Sequence, residues 1–421
     1  MFLNKEGAKS NLSCSISLKD TPTLWVGWEL HFLNLGFLAN FLIPLIGALS
    51  VILVYKLGKE LFNEKVALIS SLFFAFIPLH VFYSGRVLTG VLFTFFVLIT
   101  FLSFWKGYEN NNKKHKILFG VFLAFALLSR YTALWIIPIF LIYFLVRDKS
   151  LKFLKDKYLW YSILVFFGTL IPWLIYGIFE YNNPIGAFVH GAKASAYWGG
   201  LQSWTFFFGY WWQMFSIIGF IFVAALIYIL YKKDFFKKEI YLLLIWLVFF
   251  LGMAIYMPHK EDRFILAIVP TIALISGYFI DKIKIYKKQI IAILIGILIL
   301  SLGLNFYNTY KTYHNTNTDC FEQVGLKLKT IQGNFLIVSE NSPLFRYYTR
   351  QESAYYPDNL NEKTLKELVN STNKKVYFVF TRFNSRFETE KWQNINEIMK
   401  EDYNLIFECS KDKEVNWIYS N

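Results

Sequence analysis

The chain alternates between long apolar runs and short charged loops. Runs free of Asp, Glu, Lys and Arg cover residues 66–83, 87–105, 159–179, 240–257, 264–280 and 290–307. Each is long enough to cross a hydrocarbon layer of about 30 Å as a helix. Their apolar residues come unbroken rather than at strand or helix period, as lipid-facing helices require. The run 37–55 carries Pro44 and Gly47, both tolerated within membrane helices. Residues 206–231 form a longer run that begins as an aromatic interfacial segment around Trp204, Trp211 and Trp212. Residues 117–146 are interrupted by Ser129-Arg130-Tyr131 and read as two short helices meeting near one membrane face. The pattern predicts about ten spans.

The two ends of the chain differ from this middle. Residues 1–36 are polar and then aromatic and amphipathic through Trp25, Trp28 and Phe32, suited to lying flat in the interface. They lack the apolar core of a signal peptide. Residues 37–307 form the membrane region. Residues 308–421 read as a small α/β domain, with buried strands at 335–338 and 376–380 and edge strands at 405–407 and 417–419. Helical periodicity covers 362–369, capped by Asn361, and 388–400, capped by Asn384 or Ser385. The fold class expected is therefore a polytopic α-helical membrane protein with a small C-terminal extracytoplasmic α/β domain.

Composition and charge sharpen this picture. Of 421 residues 56% are hydrophobic, more than a soluble core of that size can bury. A net charge of +14 would suggest nucleic acid in a soluble protein. Here the cations collect in alternate loops: Lys56, Lys59 and Lys65, then Lys106 to Lys116, then Arg147 to Lys157. The series continues with Lys232 to Lys238 and Lys282 to Lys288. By the positive-inside rule these loops are cytoplasmic, which places the N-terminal segment and the C-terminal domain outside. Topology and anionic headgroups account for the charge, so the bilayer is the partner expected and nucleic acid is not. Cys320 and Cys409 fall where a disulfide persists, yet three thiols without a spacing motif favour free buried thiols. Asn11-Leu12-Ser13 and Asn370-Ser371-Thr372 fit the glycosylation sequon, a tripeptide common by chance.

Four features of the outer face bear candidate chemistry. They are the hairpin 78–90 with Arg86, the break at Arg130, the loop Pro258-His259-Lys260-Glu261-Asp262-Arg263-Phe264, and the long loop 180–204 with His190, Lys193, Tyr197 and Trp198. Taken singly, each cation reads as a snorkelling side chain and each loop as a solvated or amphipathic cover. Together, Arg86, Arg130, Lys260 and Arg263 are nearly all the cations on a cation-poor face. Such a cluster at headgroup level suits a lipid-linked phosphate or diphosphate. The aromatic-rich loop, with His259, suits sugar rings. No metal-ligand spacing, nucleophile elbow or P-loop is present, so no cofactor is expected, and a divalent metal stays open.

A further set of segments carries a resemblance. Pro22-Thr23-Leu24, Pro44 and Gly47, Tyr55-Lys56-Leu57-Gly58-Lys59-Glu60-Leu61-Phe62, Pro78, Tyr83-Ser84-Gly85-Arg86-Val87-Leu88-Thr89, Leu127-Leu128-Ser129-Arg130-Tyr131, and 259–264 ahead of Pro270 occur in that order. In order and spacing they resemble the GT-C glycosyltransferases, specifically the family 39-like group with protein mannosyltransferases and aminoarabinose lipid-A transferases. The resemblance implies transfer of a sugar from a polyprenyl-phosphate donor to a lipid, glycan or protein acceptor on the outer face. It implies phosphate-binding roles for Arg130, Lys260 and Arg263. It also implies an Asp-Glu pair in the first outer loop, one carboxylate serving as general base, but the chain begins about where that loop ends. Gly90 stands where a further acid usually follows the hairpin. Asp20, Glu29 and Asp262 are the remaining weak candidates for a base. The chain is therefore expected to be a transferase, or a degenerate relative, that binds the polyprenyl-phosphate sugar but transfers it at a negligible rate. A lipid or oligosaccharide transporter or flippase is the alternative, disfavoured by the scarcity of mid-span ionisable residues. A non-catalytic scaffold is the third reading.

Overall fold

The computed structural model describes residues 36–186, 188–189, 203–257, 260–283, 320–339, 351–354, 362–382, 397–411 and 414–420, with isolated positions between 296 and 349. The expectations for residues 1–35, for most of the run 290–307 and for most of the helix at 388–400 lie outside the described residues. By contacts the chain divides into a membrane unit, Asp20–Tyr310, and a second unit that includes Lys311–Asn421.

The membrane unit opens with α1, Gly36–Leu61, with Pro44 inside it. Asn63 then caps α2, Glu64–Phe76, its side chain accepting from the Val66 N–H at 2.9 Å. Ile77 leaves the helical conformation and Pro78 opens α3, Pro78–Ser84, where its missing N–H is no loss. The two helices are bent by 61°, so the run 66–83 is a broken span or re-entrant pair rather than one straight helix. Next comes α4, Thr89–Phe104, extended by a π-helical turn, Trp105–Glu109. Asn112 caps α5, Lys113–Ser129, and Arg130 is extended. A 3-10 turn, Tyr131–Trp135, leads into α6, Ile136–Asp148. Asp156 caps α7, Lys157–Tyr181, and α8, α9 and α10 follow as Trp211–Lys232, Lys238–Tyr256 and Val269–Lys282. A 3-10 turn, Asp262–Ile268, feeds α10.

Among the described residues seven helical stretches are long and apolar enough to cross a membrane, or eight if the bent pair is one span. Tyr131–Asp148 is one of them, so the second helix after Arg130 is not too short to span once its 3-10 turn is counted. An aromatic centre joins the helices. Phe101 stacks on Trp246 at 3.7 Å and meets Phe140 with tilted rings at 4.7 Å, and the buried Trp246 indole donates to the Ala267 carbonyl at 2.9 Å.

Ion pairs tie the helices at one end. Glu109 Oε1 accepts from Arg147 at 2.7 Å and Oε2 from Lys238 at 2.7 Å. Lys116 meets Asp156 at 2.6 Å and Lys106 meets Glu60 at 3.0 Å. Asp234, between α8 and α9, accepts from Tyr278 at 2.6 Å and pairs with Lys237 at 2.7 Å. Burial disfavours that carboxylate, but the two donors outweigh burial and hold it below its usual pKa. The lysine-rich loops thus meet at one end of the bundle through partners in neighbouring helices.

The second unit holds a five-stranded mixed sheet, in the order β2-β1-β3-β5-β4. Its strands are β1 Phe335–Ser339, β2 Glu352–Ala354, β3 Lys375–Arg382, β4 Asn404–Lys411 and β5 Glu414–Ser420. Alternation along β3 sends Val376, Phe378 and Phe380 to one apolar cluster and Tyr377 and Val379 to the other. Val324 and Leu328 of α11, Cys320–Lys329, cover the second face, and Leu365 of α12, Glu362–Asn370, covers the first. Two expectations are corrected here. The strand around 417–419 is interior, because β5 pairs with both β3 and β4. Cys320 and Cys409 are joined as a disulfide with Cα atoms 5.7 Å apart, where free thiols were favoured.

The Glu109 pairings give a direct test. Its side chain is only 6% exposed, so Glu109→Gln removes the charge that two cations share. Its partners are 27% and 50% exposed and Arg147 keeps Asp148, so the loss is that of charged hydrogen bonds, about 1.5–3 kcal/mol. The variant should melt well below wild type in detergent, while Glu64→Gln, at an exposed pair with Lys59, should change stability by less than about 1 kcal/mol.

Candidate functional site

At the other end of α4, α6 and α9 the chain makes three breaks that face one another. The first is the hairpin between α3 and α4, the second the break after α5, and the third the loop between α9 and the turn Asp262–Ile268. After Ser129 the chain leaves the helix at Arg130, whose N–H still donates to the Ala126 carbonyl at 3.0 Å and whose carbonyl starts the next turn through Ala133 at 3.0 Å. The backbone at this corner is held by a hydrogen bond on each side.

Arg130 and Arg263 share one aromatic ring. Their guanidinium carbons lie 5.2 Å and 5.8 Å from the centroid of Phe264. A ring face attracts cations through its quadrupole, so Phe264 helps two like charges stand close together. Arg263 Nε also lies in ion-pair contact with Glu261, although its N–H is not aimed at an acceptor. Lys260 is buried and donates to the Met257 carbonyl at 2.7 Å. Arg86 is exposed and stacks on Phe82 at 3.9 Å.

Asp262 anchors the hairpin to this loop. Its Oδ1 accepts from the Tyr83 hydroxyl and from the Arg263 N–H at 3.0 Å. Gly90 lies at the first turn of α4, where a Cβ would come 2.7 Å from Leu266 Cδ1 and 3.9 Å from Arg130 Nη1. A side chain at 90 would therefore crowd the 3-10 turn and reach the Arg130 guanidinium. Among the described residues no three His, Cys, Asp or Glu side chains are placed to hold a metal ion.

Of the residues singled out in the sequence, Arg130, Lys260, Asp262 and Arg263 lie in these facing breaks, and Arg86 lies in the hairpin on its own ring. Asp20, Glu29, His190, Lys193, Tyr197, Trp198 and His259 lie outside the described residues. Tyr83 and Phe264 were not singled out for roles of their own. The signal available for Phe264 was an aromatic beside Arg263; Tyr83 stood out only as part of the hairpin segment, and nothing tied it to Asp262, 179 positions away.

The Tyr83 contact is testable. Tyr83→Phe keeps the ring and removes the hydrogen bond to a charged acceptor, a loss of about 1.5–3 kcal/mol. The variant should show a lower melting temperature, and protease should cut the loop 257–264 more readily. An unchanged melting temperature and cutting rate would mean that Asp262 does not hold the hairpin.

Comparison with known proteins places the fold. Residues 25–176 match the family described as dolichyl-phosphate-mannose-protein mannosyltransferase. No curated protein sequence matches the chain. Among solved structures, ArnT from Cupriavidus metallidurans bound to undecaprenyl phosphate is 10% identical with a TM-score of 0.71, covering 95% of this chain and 88% of that one. The apo oligosaccharyltransferase of Archaeoglobus fulgidus is 13% identical with a TM-score of 0.58, covering 95% and 66%. The same archaeon's AglB, in complex with an inhibitory peptide and a dolichol-phosphate, is 14% identical with a TM-score of 0.55, covering 95% and 66%. The chain is a polytopic membrane protein with the fold of ArnT and of the archaeal oligosaccharyltransferase, and its residues 25–176 match the mannosyltransferase family model.

Proposed function

We propose that the chain transfers a sugar from a polyprenyl-phosphate donor to an acceptor at the membrane face that carries Arg130 and Arg263. The observation that supports it most is the approach of both guanidiniums to one ring, at facing chain breaks of a GT-C fold. Similar structures hold undecaprenyl phosphate and dolichol-phosphate, the class of lipid this reading takes as donor carrier. The lysine-rich loops lie at the opposite end of α4, α6 and α9, and the positive-inside rule turns that end to the cytoplasm. The site end, the N-terminal segment and the C-terminal domain then face outward.

The chemistry asks for cations here. Transfer breaks the bond between the sugar's anomeric carbon and a phosphate oxygen and forms one to an acceptor oxygen, which gives up its proton. The departing lipid phosphate goes from a monoanionic diester to a monoester carrying additional negative charge. Fixed cations aimed at that oxygen stabilise the transition state more than the ground state. Arg130 and Arg263 take this role, with buried Lys260 beside them, and exposed Arg86 steers the headgroup. His190, Lys193, Tyr197, Trp198 and His259 are assigned to the substrate. A base takes the acceptor proton. Asp262 has Oδ1 occupied by two donors, which casts it as an anchor and leaves Asp20 and Glu29 as the other candidates.

The test is donor binding by Arg130→Gln and Arg263→Gln. Each loss of a charged phosphate contact costs about 1.5–3 kcal/mol, roughly tenfold to a hundredfold in affinity for polyprenyl phosphate. Arg86→Gln should cost less than about fivefold, as for exposed pairs. Unchanged affinity in both of the first two variants would return these arginines to headgroup snorkelling.

A further inference from the structure

A sequon met by chance need not be accessible. Asn370-Ser371-Thr372 ends α12, on the side of that helix away from the sheet. Leu365 packs into the apolar cluster of the first sheet face, with Leu368 and Val369 beside it. Glu362, Lys363, Lys366, Glu367 and Asn370 are exposed, and their spacing is that of one helix face. Asn370 closes this charged face, and its carboxamide makes no hydrogen bond among the described residues. The turn after it is held by other groups. The Ser371 N–H donates to the Glu367 carbonyl at 3.0 Å and the Ser371 hydroxyl to the Leu368 carbonyl at 2.7 Å. Thr372 Oγ1 accepts from the Lys374 N–H at 3.2 Å, and β3 begins only at Lys375. Helix ends fray, so these three residues can extend into an enzyme's cleft while Leu365 stays packed.

The compartment is marked by a separate observation. Cys320 of α11 and Cys409 of β4 are bonded across 89 positions, and both are buried. Such bonds form and persist in oxidising compartments, outside the cytoplasm. Asparagine sequons are glycosylated on that same side, in exposed turns and loops.

We propose that Asn370 is a site of N-linked glycosylation. The donor is a glycan on a lipid phosphate, and the catalyst is a sequon-reading transferase. A bond forms between Asn370 Nδ2 and the anomeric carbon as the bond from that carbon to the phosphate oxygen breaks. The carboxamide gives up one proton to the transferase's base, and the lipid phosphate leaves with the bonding electrons. The Thr372 hydroxyl, two residues on, completes the acceptor signal. The site rests on the outward orientation proposed above and is independent of sugar transfer at Arg130.

The experiment purifies the full chain from the membranes of its own host cells and maps its peptides by mass spectrometry. The peptide that holds Asn370 should carry the added mass of a glycan and release sugar fragment ions. Asn370→Gln should abolish that mass and leave the melting temperature of the enzymatically deglycosylated protein unchanged, because no described contact uses the side chain. Thr372→Ala should abolish it as well, and Thr372→Ser should keep it. Alkylation before and after reduction reports the Cys320–Cys409 bond, and protease added to intact cells reports which side the second unit faces. An unmodified Asn370 in a domain that is disulfide-bonded and cut from outside would overturn the glycan site alone. A reduced pair in a protected domain would overturn the outward orientation and the site with it. A glycan that survives Asn370→Gln or Thr372→Ala would also overturn the site.

Discussion

Glu109 receives two cations from two other helices while its side chain stays almost wholly out of solvent. Arg147 comes from the end of α6 and Lys238 from the start of α9. A charge at a membrane helix end is tolerable only when it is paired or hydrated, so the carboxylate and its two partners set the relative heights of three helices. Each of those helices runs from this node to the site. The far end of α4 is Gly90, that of α6 follows Arg130 and Tyr131, and that of α9 leads to Lys260. The π turn places Glu109 by inserting one extra residue into the turn that ends α4. With the node fixed, the aromatic packing of Phe101, Phe140 and Trp246 carries the registration across the bundle.

The site end follows a different rule. Arg130 and Arg263 are like charges near a common ring, an arrangement that opposes itself electrostatically. The Phe264 face and Glu261 offset part of the repulsion. An anion between the arginines would offset more, and the effect grows as a departing phosphate gains charge. Gly90 lies beside this geometry: a Cβ there would displace the Leu266 Cδ1 methyl and come within 3.9 Å of Arg130 Nη1. An acid at that position, as the sequence resemblance implies for relatives, would sit against the guanidinium.

Much of the membrane unit was legible because an unbroken apolar run has few physical outcomes. The break at Arg130 was also legible, since a cation between two apolar helices marks an edge. The bend between α2 and α3 was not read, although Pro78 carried its signal: the run 66–83 contains no charge to divide it. The central strands β1 and β3 showed as short apolar runs buried on both faces. The interior place of β5 did not show, because alternation along one strand says nothing about how many neighbours it has. The Cys320–Cys409 bond spans 89 positions, and no spacing motif announces such a pairing. The candidate site was half legible. Residue chemistry marked Arg130, Lys260, Asp262 and Arg263, but the Tyr83 to Asp262 bond and the shared Phe264 ring depend on how distant loops pack.

The chemistry assigned to the site rests on recognition of phosphate rather than of hydrocarbon. Affinities of the full chain, in nanodiscs of neutral lipid, for a polyprenyl phosphate and for the polyprenyl alcohol of equal length compare the two directly. The phosphate should bind at least about tenfold more tightly, the difference one charged hydrogen bond supplies, and the advantage should shrink as salt is raised. Equal affinity for the two lipids would contradict the assignment of Arg130 and Arg263 to a lipid-linked donor.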